Sequence, residues 1–326
     1  MRWPSRSALL VAALVQLPAP VRAQSLDSLV LRLANMSAVS GFEDAMAESL
    51  LAALPGSALD RTGNVVWTRG GGAPLRVALC PMDEVGYVVG AITPDGYLTL
   101  RRVGATPVGL LFDQALEGQR VTVFGRRGPV PGVVGVRSVH LAHGRSAAGE
   151  EPFSLDNAFV DVGARSGAGA AELGIGILAP VTRAKRVHRY GPDLVAAPGA
   201  AARAGCAALL AAALRPPEKG DTGTAIVAFT RRRQFRWDGA AFLLGERAPA
   251  GVRADVVVLG GTGLGDSLGL GAAPVWRDSL PAGDGWRATV AWSLPTRYPH
   301  TDVETVSLRD VATLADRLRL WLGGAR

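Results

Sequence analysis

Cysteine, lysine and histidine are all scarce in this chain of 326 residues, which has two cysteines, four histidines and 35 basic residues of which only Lys185 and Lys219 are lysine. Two cysteines exclude a disulfide scaffold of the kind small secreted domains depend on. Cys80 and Cys206 are read as buried free thiols packing as small hydrophobes; their pairing stays open, should the two Cα atoms come close in an oxidising compartment. Long hydrophobic runs are also missing. The N-terminal one, Ala8 to Leu17, is too short to cross a membrane. With Arg2 and Arg6 before it and Val21-Arg22-Ala23 after it, this run reads as a secretory signal over residues 1–23. The expectation is an exported protein, periplasmic or secreted, with no transmembrane segment after cleavage; an uncleaved anchor is the alternative. No cysteine stands at the cleavage point to take a lipid.

A strong charge of one sign is lacking too. Removing Arg2, Arg6 and Arg22 lowers the net charge from +7 to +4, and the remaining arginines are spread along the chain. The one dense cluster is Arg231-Arg232-Arg233 with Arg236 close by. A nucleic-acid binder concentrates basic charge on one face and interleaves aromatics, so that class is excluded. About 300 residues after the signal are enough to bury a sizeable core, as one large domain or two smaller ones.

Leu26, Leu29, Val30 and Leu33 recur at helical spacing. Ser40-Gly41-Phe42-Glu43 reads as a capping box that opens a second helix through about Leu54, stopped by Pro55-Gly56. Strands follow at Val65-Val66-Trp67 and Arg76 to Leu79. From Tyr87 to about Arg186 the texture changes to short β-prone runs: Tyr87 to Ile92, Tyr97 to Leu100, Arg120 to Phe124, Gly132 to Val136 and Ala158 to Val162. Asp95-Gly96 is a hairpin turn signal among them, and a short helix fits Ala168 to Leu173. Helix and strand alternate again from Ala201 to Leu214, then Ala225 to Phe229, Asp255 to Leu259 and Thr289 to Leu294. A last helix begins at Ser307, carries Leu308, Val311, Leu314, Leu318 and Leu322 on one side, and ends at Gly323-Gly324. The fold class is α/β: an α/β/α domain over residues 24–86 and 187–326, interrupted by a small β domain over 87–186.

Seven short segments carry a family resemblance: Ser40-Gly41-Phe42-Glu43, Thr62-Gly63-Asn64-Val65, Met82-Asp83-Glu84-Val85-Gly86, Val139-His140-Leu141, Val160-Asp161-Val162-Gly163-Ala164, Glu172-Leu173-Gly174-Ile175, and Pro295-Thr296-Arg297-Tyr298-Pro299-His300-Thr301. In this order they resemble the M42 metallo-aminopeptidases, the tetrahedral and glutamyl aminopeptidases. The resemblance implies the zinc-aminopeptidase type of α/β fold, an inserted β domain also used in oligomer assembly, and two divalent metals with a Glu as general base. It also implies where the ligands should stand. They fall at Pro81, at Ala201 for the bridging Asp, at Arg233 and Gln234 for base and ligand, at Leu259 or Gly260, and at His300. Only His300 keeps a ligand side chain. Between Gly269-Leu270-Gly271 and Pro295 the chain is also shorter than the family pattern by on the order of 40 residues.

The expectation is therefore a divergent exported homologue lacking most metal ligands. It is read as a pseudo-peptidase with no metal or other cofactor, acting in peptide or anion binding or in assembly, with a homo-oligomer as one state. Its vestigial pocket comprises Asp83, Glu84, Arg232, Arg233 and His300, with Arg232 or Arg233 pairing with Asp83. A metal ion near the arginine cluster would meet like charge, about 4 kcal/mol per pair at about 4 Å in a surface-like dielectric. Asp83 and Glu84, adjacent in an extended segment, should point to opposite sides. His140, His143 and His188 read as surface or packing residues. The alternative is a remodelled aminopeptidase that removes N-terminal residues from peptides and uses zinc or cobalt. A third reading takes Gly265-Asp266-Ser267-Leu268-Gly269 as a nucleophile elbow, with Asp278 or Asp284 and His300 completing a serine hydrolase. No helical period follows Ser267, so a fluorophosphonate probe should leave it unlabelled; stoichiometric labelling would establish the hydrolase.

Overall fold

The computed structural model describes residues 25–104, 112–135, 153–218, 220–247, 253–259, 275–276 and 286–324. The expected signal, His140 and His143, Lys219, Gly260, the glycine run with Ser267, and Asp278 and Asp284 lie outside them.

Helix α1 (Leu26–Ala34) forms on the predicted apolar spacing, with the Ser25 hydroxyl accepting from the Ser28 amide as its cap. Helix α2 (Asp44–Ala53) follows, and here the expected capping box is wrong. Glu43 is the N-cap residue and caps nothing with its side chain; Ser40 and Glu43 are turned instead toward the site described below. Strands β1 (Ala58–Leu59), β2 (Val65–Gly70) and β3 (Leu75–Pro81) enter a seven-stranded sheet. Its other members are β12 (Thr224–Thr230), β13 (Ala254–Leu259), β14 (Val275–Trp276) and β15 (Trp286–Trp292), and its order is β1-β2-β12-β3-β13-β15-β14.

Strands β12, β3, β13 and β15 are parallel, and β2 runs antiparallel to β12. The three central strands are continuous apolar runs because both faces of the sheet are covered. Ala78 and Cys80 of β3, Val227 and Phe229 of β12, and Leu259 of β13 face one core. This core also contains α1, α2, helix α4 (Ala200–Ala213) and helix α6 (Leu308–Gly323). Val77, Leu79, Ile226 and Val258 point the other way, onto Trp237 and helix α5 (Asp238–Arg247). The result is the α/β/α layering expected.

Between β3 and α4 the chain builds a closed barrel in the order β4-β5-β8-β7-β6-β9. Its strands are β4 (Tyr87–Ile92), β5 (Leu98–Arg102), β6 (Arg120–Gly125), β7 (Gly128–Val134), β8 (Val160–Asp161) and β9 (Pro180–Arg183), with the short helix α3 (Gly167–Glu172) before β9. Closure removes the free edges that such short strands would otherwise expose. Asp95-Gly96 turns the first hairpin; Gly96 has φ +90°, and a Cβ there would lie 2.9 Å from the Ser166 backbone. A three-stranded sheet was not foreseen: β10 (His188–Tyr190), β11 (Leu194–Ala196) and β16 (Thr305–Ser307), in which β11 joins the barrel exit to the start of α6. Helix α6 begins as expected, with the Ser307 hydroxyl accepting from the Asp310 amide, and ends at Gly324 in the left-handed conformation.

Phe229 is fully buried between the central strands and the helices. Phe229→Ala should lower the unfolding free energy by about 3–5 kcal/mol in urea denaturation; an unchanged midpoint would contradict this packing.

Candidate functional site

Strands β3 and β12 end together, with Pro81 opposite Thr230, and the N-terminus of α4 lies at the same edge. This is the carboxyl edge of parallel strands, where open α/β sheets place their ligands. Backbone conformation also marks the edge. Arg232, Arg236 and Trp237, after β12, and Tyr298 and His300, before β16, all adopt positive φ between 51° and 64°. Backbone of this kind is held by its surroundings and concentrates at functional sites.

Asp83 and Glu84 follow β3 and, as expected, face different neighbours. Asp83 is 4 % exposed. Its Oδ2 accepts from the Ser40 hydroxyl at 2.6 Å and from the Gln234 amide at 3.2 Å, while Oδ1 has no hydrogen-bond partner among the described residues. The guanidinium expected on Asp83 is elsewhere: Arg232 pairs with Asp238 at 3.3 Å, and Arg233 lies over the Trp237 ring at 4.9 Å. The left-handed turn after Arg231 aims the backbone, not the side chains, at the carboxylate. Burial raises the Asp83 carboxyl above its ordinary value; Ser40 opposes the rise and Glu43 adds to it. Glu43, fully buried, accepts from the amides of Gly41 and Arg232 and from Arg231 Nε.

Glu84 carries the cations instead. Its carboxylate bonds the Lys185 ammonium, lies 3.3 Å from Arg203 Nη2, and accepts from the Ala38 amide at 2.9 Å. Arg203 is 1 % exposed, and its Nη1 also donates to the Met82 carbonyl. Burial alone would raise the Glu84 carboxyl, but Lys185 and Arg203 together hold it below the ordinary carboxylate range. Positive charge does balance an acid at this strand end, but it comes from α4 and from the barrel exit, not from the arginine cluster.

Cys80 and Cys206 are joined in a disulfide, with Cα atoms 5.4 Å apart, which corrects the expectation of free thiols. Register explains it. Cys80 is the β3 residue that faces α4, and Cys206 lies on the buried face of that helix. A bond across 126 residues of chain stabilises by about 5 kcal/mol in the chain-entropy account.

Glu304, which sequence reasoning missed, is 6 % exposed and accepts from the Ala201 amide at 2.8 Å and the His300 amide at 2.9 Å. The ring of His300 packs edge-on against Phe112 at 5.9 Å, and its carbonyl accepts from Arg183. His188 is exposed and stacks on Tyr190, in line with a surface role.

Apart from His300, the described positions that the resemblance assigns to metal ligands do not fit a metal. Pro81 and Ala201 offer no side-chain donor, Leu259 is wholly buried in the core, Arg233 is a cation, and Gln234 offers only an amide. The nearby carboxylates Glu84 and Glu304 are already committed to internal cations and amides. Among the described residues, no three His, Cys, Asp or Glu side chains are grouped to hold a metal ion. A hydrolytic zinc site needs about three protein ligands per ion. What this edge can do is present hydrogen-bonding backbone, exposed guanidinium groups and the exposed aromatics Phe42 and Phe235.

Architecture defines the class first: this is an α/β peptidase-like fold. Aminopeptidase APDkam598 from the archaeon Desulfurococcus kamchatkensis shares it at TM-score 0.75 and 22 % identity, over 92 % of this chain and 95 % of that one. The TET1 peptidase of Pyrococcus horikoshii shares it at TM-score 0.78 and 23 % identity, over 91 % and 99 %. The sequence model for the M42 glutamyl aminopeptidase family matches residues 63–251, more than half of the chain, and the chain belongs to that family. The SgcX protein of Escherichia coli (strain K12) is 35 % identical over 196 residues, 58 % of this chain and 51 % of that protein. The lysyl aminopeptidase of Pyrococcus furiosus is 34 % identical over 137 residues, 40 % and 38 % respectively. The chain spans about half the length or less of these curated relatives.

A carboxyl whose pKa is raised on folding contributes stability that is present below its unfolded value and lost as pH rises through its folded value. Asp83→Asn keeps an acceptor for Ser40 and Gln234 and removes the buried charge. Its unfolding free energy relative to wild type should therefore improve as pH rises above about 4, read by urea denaturation at each pH. A difference that does not vary with pH would contradict the raised carboxyl.

Proposed function

We propose that this chain is an exported M42-family pseudo-peptidase, which binds a peptide or another carboxylate-bearing small molecule at the strand-end edge without cofactor-dependent hydrolysis. One observation carries the reading: the edge is filled from within. Lys185 and Arg203 neutralise Glu84, and the amides of Ala201 and His300 engage Glu304. Export is supported by the N-terminal signal pattern and by a disulfide, since such bonds persist in oxidising compartments. Exposed Arg232 and Arg236, beside the exposed rings of Phe42 and Phe235, suit a peptide with a free carboxylate. The TET1 peptidase of Pyrococcus horikoshii can assemble into a tetrahedron or a large octahedral shell, which supports a homo-oligomer here as well.

A second reading, a metal-dependent aminopeptidase using zinc or cobalt to release N-terminal residues, is favoured by the company the chain keeps: the lysyl aminopeptidase of Pyrococcus furiosus and the M42 family itself. It requires ligands in addition to His300.

Metal analysis and peptidase assay of the same preparation decide between the two. The first reading expects zinc and cobalt well below one ion per chain and no chelator-sensitive release of amino acids from short peptides. About two ions per chain with release abolished by a chelator would overturn it in favour of the second.

A further inference from the structure

Segment 80–84, which carries Asp83 and Glu84, is tied to segment 201–206 of α4 at every turn. Cys80 is bonded to Cys206. The Cys206 sulfur lies 3.5 Å from the Pro81 carbonyl oxygen, and the Cys80 sulfur 3.8 Å from that of Ala202. Arg203 donates to the Met82 carbonyl and pairs with Glu84. Both cysteines are buried, at 0 % and 2 % exposure. A covalent link and a buried ion pair thus join the same two segments, a few residues apart.

We infer that the Cys80–Cys206 disulfide is a functional cross-link that seats the Asp83-Glu84 turn on α4, so that the edge of the sheet keeps its shape without a bound cation and only after oxidation. The inference rests on the metal-free reading of this edge. The chemistry is a thiol–disulfide exchange. Each cysteine gives up one proton and the pair gives up two electrons. The acceptor is the disulfide of an exporting compartment's thiol oxidoreductase, which leaves as a dithiol. Arg203 is buried and Glu84 mostly so, with side chains 2 % and 14 % exposed, where the loss of either partner is costly, so the covalent link acts by holding their segments in contact.

The test uses the full chain purified without reductant. Iodoacetamide in denaturant should add no label by intact mass, and two labels after phosphine reduction; two labels before reduction overturn the cross-link. Melting of the folded protein, with reduction carried out in sub-denaturing urea and checked by alkylation, should then show Tm lowered by about 5–10 °C on reduction. EDTA or zinc should leave it unmoved. An unmoved Tm in verified reduced protein overturns the seating role. A Tm raised by zinc in the oxidised protein overturns the metal-free reading and leaves the cross-link standing, so the two failures are distinguishable. Cys80→Ala/Cys206→Ala should reproduce the reduced Tm; if that variant does not fold, the reduced wild type gives the answer alone.

Discussion

The burial of the Glu84 carboxylate is the constraint from which the polar end of this molecule follows. A charge at that depth is tolerable only when paired and hydrogen-bonded. The partners come from three distant places: Ala38 in the loop before α2, Lys185 where the chain leaves the barrel, and Arg203 on α4. Satisfying one side chain therefore fixes how the first helices, the barrel exit and α4 converge on the end of β3. The disulfide and Glu304 tighten the same convergence by covalent and hydrogen-bonded means.

A peptidase fold whose strand edge closes on itself is physically coherent. The two hydrophobic cores on either face of the sheet depend on alternation in β3, β12 and β13, and nothing in that alternation depends on the residues at their ends. Fold and site chemistry are separable in this sense. The fold persists at 22–23 % identity to its structural neighbours. Left-handed backbone at Arg232, Arg236, Trp237, Tyr298 and His300 shows that this edge is held under local constraint even so.

Much of the framework was legible. Apolar spacing located α1 and α6, apolar runs located β3, β12 and β13, and Asp95-Gly96 marked the first barrel hairpin. The strands β10, β11 and β16 were not legible, because three-residue elements carry too little pattern. At the site, local rules misled. Ser40 and Glu43 have the spacing of a capping box, yet Asp83 and the 231–232 loop compete for them and win, since an unpaired buried carboxylate costs more than an uncapped helix end. Arg232 and Arg233 are close to Asp83 along the loop, but the turn presents the Gln234 amide to it. Lys185 and Glu304 gave no signal, being single polar residues whose partners Glu84 and Ala201 lie about a hundred residues away.

By itself the sequence determined the layered α/β plan, the barrel's hairpin texture, the family resemblance and the absence of ligand side chains at Pro81 and Ala201, because these rest on residue type and on periodicities of a few residues. Only the tertiary structure decided which charges meet. The pairing of Cys80 with Cys206, of Glu84 with Lys185 and Arg203, and of Glu304 with Ala201 depends on distances between segments remote along the chain. Those distances are set by how the helices and the barrel pack against the sheet, and no local pattern encodes them.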